Sequence, residues 1–303
     1  MPKIAYKGWP NCFQMSNGLV DVIATTDVGP RTIRFGFTGA DNVFKEYEDM
    51  LGKTGGDTWN IYGGHRFWHA PEAEPRTYAP DNFPVKLEEH KTFIRLVQDT
   101  EKTTGMQKEI DVHLDPKEAH VHVVHRMRNH NLWAIEMAPW AVSVMAQGGK
   151  AIIPLPPRGE HPANLAPVNT LTMWAYTDMS DPRWTWGNKY IMLRQDPKAT
   201  RPTKLGIMDT EGWAAYANKG FLFVKAFTHV TGARYPDWGC SLETFTAADM
   251  LELESLGPLV TLQPEAKVEY VEDWYLFRDV PLPASDAEVD KNILPKVKSV
   301  LAK

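Results

Sequence analysis

Glu252 and Glu254 stand two residues apart in Leu251-Glu252-Leu253-Glu254. Successive strand side chains alternate faces, so a strand here puts both carboxylates on one side and both leucines on the other. Same-face neighbours lie roughly 7 Å apart, a spacing at which acids can share a substrate or raise each other's pKa toward that of a general base. The competing reading is a solvated face over an apolar one. Gly63-Gly64-His65-Arg66, followed by His69 and Glu72, gathers a possible acid, a fork of donors and an acceptor, behind a glycine pair that would let backbone approach a ligand. Here the alternative is a loop pinned by Phe67 and Trp68, with Arg66 paired to Glu72. Lys225 shares a strand face with Phe221, Phe223 and Phe227, and must be paired or turned to a ligand. Trp140 offers a ring face for stacking on a ligand or for core packing. Asp237 and Glu243 are lesser acidic candidates. His120 and His122 share a face and could converge on a metal, against a solvated polar face as the alternative. His125 falls on the apolar face, as a hydrogen-bonded core histidine does.

The elements that must hold these residues read as strands. Met106, Lys108, Ile110, Val112 and Leu114 alternate with Gln107, Glu109, Asp111 and His113, a period that only a sheet explains. Further strands are predicted over 19–25, 32–38, 42–47, 93–99, 120–128, 133–145, 151–154, 192–195, 204–208, 213–217, 220–229, 241–245, 251–256, 260–262 and 268–277. Residues 61–84, with four prolines and no clear period, read as an ordered loop over a site. Ser285-Asp286-Ala287-Glu288 is a capping-box pattern opening a short helix that Pro295 interrupts. So many short strands and one credible helix imply an all-β chain, a large antiparallel β-sandwich over residues 1–303 as a single domain, with a helical tail at 281–303.

A net charge of -5 without a basic run excludes nucleic acid and anionic membrane as main partners. No window approaches the roughly 20 apolar residues of a membrane span, and the first residues lack a signal-peptide pattern. Two cysteines, Cys12 and Cys240, are too few for a disulfide framework. A cytoplasmic location is the expectation. The 11 Trp, 10 Tyr and 12 Phe supply many faces suited to sugar rings.

The layout of the C-terminal third resembles the galactose mutarotase-like superfamily, in which a strand carrying the catalytic Glu precedes a Leu-x-Pro-Gly-Glu turn and a closing aromatic strand. Leu253-Glu254 matches that strand and Leu262-Gln263-Pro264 the turn, although Glu265-Ala266 stands where Gly-Glu is usual. Leu251 to Pro258 and Glu272-Asp273-Trp274-Tyr275-Leu276 are similar to an uncharacterised bacterial branch of it. Gly63 to Arg66 looks like that branch's version of the superfamily's Gly-rich sugar-holding loop. The family's Asn-His-x-Tyr-Phe segment, which carries the acid, is replaced by Ala138-Pro139-Trp140-Ala141.

This resemblance implies a galactose mutarotase-like supersandwich and aldose 1-epimerase chemistry on a small sugar or sugar phosphate, requiring no metal or cofactor. Glu254 would be the base, with Glu252 as the other choice, and His65 would stand in for the missing acid. Arg66, Glu72, Trp140, Lys225 and Glu252 would position the sugar. A non-catalytic sugar-binding protein on the same scaffold is the alternative implied by the missing histidine, and metal-dependent chemistry through His120 and His122 is a third. The oligomeric state is not legible.

Overall fold

The computed structural model describes residues 2–301; residues 302 and 303 of the expected tail lie outside them. In chain order the strands are β1 (Lys3–Tyr6), β2 (Trp9–Ser16), β3 (Val20–Thr25), β4 (Arg31–Phe37), β5 (His65–Ala70), β6 (Lys86–Glu89), β7 (Phe93–Val97), β8 (Met106–Leu114), β9 (His120–Asn129), β10 (Ile135–Met145) and β11 (Lys150–Pro154). They continue with β12 (Leu171–Met173), β13 (Trp184–Trp186), β14 (Tyr190–Arg194), β15 (Thr203–Ile207), β16 (Trp213–Asn218), β17 (Phe221–Phe227), β18 (Leu242–Thr246), β19 (Leu251–Leu256), β20 (Val260–Leu262) and β21 (Lys267–Arg278), before helices α1 (Asp286–Asn292) and α2 (Leu294–Leu301).

Two antiparallel sheets result. The first runs β1-β2-β3-β4-β5-β10-β19-β18-β15-β12, with β20 added to β10, and the second runs β13-β14-β11-β16-β17-β21-β9-β8-β7-β6. Phe35, Phe67, Ala141 and Leu253 from the first meet Ile110, Val123, Phe223 and Trp274 from the second in the main core. Alternate residues of each strand therefore point into the sandwich or away from it.

What covers the outward faces differs. Val289, Ile293 and Val297 of the helical tail pack on Met192, Trp213, Ala215, Leu222 and Val224 of the second sheet, which is why β16 and β17 are apolar on both sides. Ser285 caps α1 as the sequence pattern implies, its side chain accepting from the Glu288 N–H. The other half of that sheet is wet outside, as the alternation of β8 and β9 required.

Several expectations change. Residues 42–47 make only isolated bridges, Phe44 to Met145 and Glu46 to Gly63. Strands β1 and β2 precede the first strand expected from the sequence. The segment 61–84 contains β5, all six of whose residues are buried. Loops cover its outer face and the second sheet its inner one, so no polar–apolar alternation marked it. Gly63 and Gly64 serve backbone approach to backbone: an added Cβ would lie 2.0 Å from the Lys45 carbonyl oxygen at Gly63 and 2.4 Å from that of Thr32 at Gly64.

Candidate functional site

The outward face of the first sheet, at its centre, carries charge. Arg66 and Trp68 project from β5, Trp140 from β10, Glu252 and Glu254 from β19, Glu243 from β18 and Lys204 from β15. Strand pairing sets these neighbours: Val142 lies opposite both Arg66 and Glu254, and Glu254 opposite Glu243. Loops cover the face. Arg31, across from Arg66, donates to the carbonyls of Ile61 and Gly63 at 2.9 Å and pairs with Asp81 at 2.8 Å. That buried arginine ties both arms of the covering segment to β4.

Two cations organise this buried face. Lys204 lies 2.7 Å from Glu243 Oε2 and 3.1 Å from Glu254 Oε2, with its ammonium 4.9 and 4.6 Å from the ring centroids of Trp140 and Trp174. The Trp140 indole N–H also donates to Glu254 Oε2 at 3.1 Å. Arg66 donates to Glu252 at 2.8 Å, and its guanidinium carbon is 4.3 Å from the ring centroid of Trp68 and 5.2 Å from that of Trp59. Such cation–π contacts and paired carboxylates are what make buried charge tolerable. Trp59, Trp68, Tyr78 and Trp140 form a continuous aromatic wall with centroids 5.0 to 5.5 Å apart. Glu72 accepts from the Tyr78 hydroxyl at the exposed rim.

Several buried polar atoms here have no partner within the chain: Glu254 Oε1, Glu243 Oε1, Arg66 Nε and Nη1, and Trp59 Nε1. Unpaired buried polar atoms are costly, so water or a ligand is expected to meet them. Burial raises Glu254 to about 7 and Glu243 to about 8, against the opposing pull of Lys204. Lys204 is itself held well above its ordinary value, the two carboxylates overcoming the effect of burial. Around neutral pH the trio can both hold and release a proton.

His65 and Lys225 lie elsewhere. They point from β5 and β17 into the space between the sheets, so His65 is on the opposite face of β5 from Arg66. The expected pairing of His65 with Glu254 on one substrate is corrected accordingly: a sheet separates them. Lys225 is no rim contact either. Its three donors go to the carbonyls of Ala141 and Leu253 at 3.1 Å each and to Glu272 at 2.9 Å. Glu272 also accepts from the Ser255 hydroxyl and from the Trp274 indole at 2.8 Å.

The same network fixes the histidine tautomers. His125 Nδ1 lies 3.1 Å from the Tyr270 carbonyl, which can only accept, so that nitrogen carries the proton. Burial lowers His125 to about 4, so its Nε2 is bare and accepts from His65 Nε2–H at 2.7 Å. His65 Nδ1 then accepts from the Ser143 hydroxyl at 2.9 Å. Burial, with His125 and Lys225 nearby, keeps His65 neutral. Among the described residues, His65, His125 and Glu272 are a group whose ligand atoms converge within 4.8 Å. Each is already engaged, and a metal ion would have to displace Lys225.

His120 and His122 do share the outer face of the second sheet. Asp273 of β21 supplies a carboxylate, 2.7 Å from His120 and 2.9 Å from His122. One oxygen bonded to both rings makes this a hydrogen-bonded surface cluster.

The structure thus brings Glu254, Glu252, Arg66, Glu72 and Trp140 together and leaves out His65 and Lys225. Sequence reading missed Lys204 altogether and ranked Glu243 low. The signal for Glu243 was its shared face with Ser241 and Phe245; Lys204, a lone charge in a buried five-residue strand, offered less.

No protein-family model and no curated protein sequence matches the chain. Solved structures do match. A galactose mutarotase-like protein from Lactobacillus casei is 10% identical, with 88% of this chain and 100% of that one covered at a TM-score of 0.52. A galactose mutarotase related enzyme from Lactobacillus acidophilus is 9% identical over 88% and 98% at 0.53, and the Slr1438 protein of Synechocystis sp. is 11% identical over 92% and 100% at 0.57. At such identities the likeness is one of fold: the chain has the galactose mutarotase-like fold.

Proposed function

We propose that the charged cluster on the outer face of the first sheet binds a sugar and exchanges protons at its hemiacetal, with Glu254 and Glu243 as the acid–base pair. The observation that carries this reading is the Glu254–Lys204–Glu243 trio. Two buried carboxylates share one ammonium, and each keeps an oxygen without a partner, beside a wall of tryptophan rings. The fold, shared with a galactose mutarotase related enzyme, adds weight.

In the proposed reaction Glu254, as carboxylate, takes the proton of the anomeric hydroxyl. The bond from the anomeric carbon to the ring oxygen breaks as the carbonyl forms, and the Glu243 carboxyl delivers its proton to the ring oxygen. Rotation and the reverse transfers close the ring as the other anomer. Lys204 holds both carboxylates in place, and its charge stabilises whichever is ionised. The tryptophan rings meet the sugar's C–H faces, while Arg66 Nε and Nη1 are donors for its hydroxyls. Glu243 takes the role the sequence reading had given to His65.

Recognition without turnover is the second reading, and one observation favours it: Glu254 and Glu243 are each only 1% exposed, so a sugar must part the covering side chains to reach them. Proton NMR separates the two, with saturation transfer from protein reporting binding and exchange between anomeric signals reporting catalysis, on free and phosphorylated aldoses. Exchange above buffer that disappears in Glu254→Gln while binding persists supports catalysis. Binding with exchange at the buffer rate leaves a sugar-binding protein, and no binding of any aldose overturns both.

A further inference from the structure

Asp237, Trp238 and Gly239 have φ of 50°, 64° and 111°, so two residues with side chains occupy the left-handed region in succession. That region is uncommon outside glycine and an outlier for a bulky side chain. Hydrogen bonds hold the turn in place. The Gly239 and Cys240 N–H groups both donate to the Pro236 carbonyl at 2.9 Å, and the Asp237 carbonyl accepts from the Thr172 hydroxyl at 2.9 Å and the Cys240 thiol at 3.1 Å. Trp238 is nevertheless 83% exposed. Asn or Gly would suit the backbone better, and a polar side chain would suit the solvent better. Both arguments oppose tryptophan here unless the ring has something to meet.

Its place in the fold says what that is. Thr172, which holds the turn, ends a row across the outer face of the first sheet: Arg66 pairs with Val142, Val142 with Glu254, Glu254 with Glu243, Glu243 with Gly206 and Gly206 with Thr172. Three strand spacings, about 14 Å in all, separate Thr172 from Glu254. Aromatic rings occupy the interval. Trp174 lies on Gly206, where an added Cβ would be 3.2 Å from the ring, and Tyr176, 44% exposed, meets Phe245 edge-on at 6.3 Å.

We infer that Trp238 is a stacking platform for a further sugar ring, so that the cleft accepts an oligosaccharide whose reducing end lies at Glu254 and Glu243. The inference rests on the sugar-cleft reading above. Its test compares wild type, Trp238→Asn and Trp238→Tyr by fluorescence and saturation-transfer titration, with glucose and galactose set against maltotriose, cellotriose and β-1,4-galactotriose. Asn tolerates the left-handed backbone, so the turn survives the change. Wild type is expected to bind one trisaccharide about five- to tenfold more tightly than its monosaccharide, as one stacked ring would give. Trp238→Asn loses that gain and keeps monosaccharide affinity within about twofold, and Trp238→Tyr retains most of it. A Trp238→Asn protein that keeps the gain, or that loses both sugars equally, overturns the inference, as does a wild type with no preference for any trisaccharide. A wild type that binds no saccharide removes the cleft reading itself.

Discussion

Replacing Lys225 by Met tests whether this lysine is a structural cation or a ligand contact. The ammonium satisfies all three of its donors on Ala141, Leu253 and Glu272, with both charged partners fully buried. Methionine fills similar volume but leaves the Glu272 carboxylate with only its Ser255 and Trp274 donors. Removing one partner of a buried ion pair costs about 3–5 kcal/mol, a large part of the roughly 5–15 kcal/mol by which a domain is stable. At about 2 °C per kcal/mol for a large chain, the melting temperature should fall by about 6–10 °C. The double variant Lys225→Met with Glu272→Gln should recover about 1–3 kcal/mol, because the orphaned charge is gone. Urea and thermal unfolding followed by tryptophan fluorescence measure both. Sugar affinity, where the protein remains folded, should stay at the wild-type value. A Lys225→Met protein that melts as wild type yet loses sugar binding would refute the placement of Lys225 between the sheets.

Glu254→Gln and Glu243→Gln should each lower anomer exchange by about 10²- to 10⁴-fold with binding largely kept; a full rate in either, read by exchange NMR, removes that residue from the pair. The exchange rate should peak in a narrow range near neutrality, falling as pH drops through about 7 and Glu254 takes a proton, and falling again as pH rises through about 8 and Glu243 loses one; a flat profile from pH 5 to 9 would contradict this. Arg66→Lys should weaken both sugar binding and folding by about 1–3 kcal/mol, because lysine cannot lie flat over the Trp68 and Trp59 rings as the planar guanidinium does; calorimetry and a melt check it. His69 is buried without a partner for either ring nitrogen and is lowered to about 3 by burial. The unfolded chain therefore gains a proton there below about 6.5 while the folded one does not, so up to roughly 5 kcal/mol of stability drains away between pH 6.5 and 3. His69→Leu should flatten that part of the acid melting curve, and an unchanged slope would show that His69 is not the cause.

The sequence by itself determined the class of fold and the sidedness of residues within a strand. Leu251 and Leu253 against Glu252 and Glu254, and Phe223 with Lys225, divide between faces as their alternation required, because the period of two is a local property of extended backbone. Ser285 and Glu288 marked the start of α1 for an equally local reason. Which face meets the other sheet was beyond the sequence wherever both faces are buried. His65 and Arg66 are adjacent in the chain, yet one bonds His125 inside the sandwich and the other joins Glu252 on the outer face of the first sheet. Neighbours across strands were equally hidden: Glu243 reaches Glu254 through the β18–β19 register, Lys204 through β15, and Asp273 reaches His120 and His122 through β21. The pairing of β9 with β21 brings His120 to a side chain 153 positions away, that of Asp273, and no local period encodes such a partner. The proposed acid–base pair is therefore a product of tertiary structure, brought together by the pairing of β18 with β19.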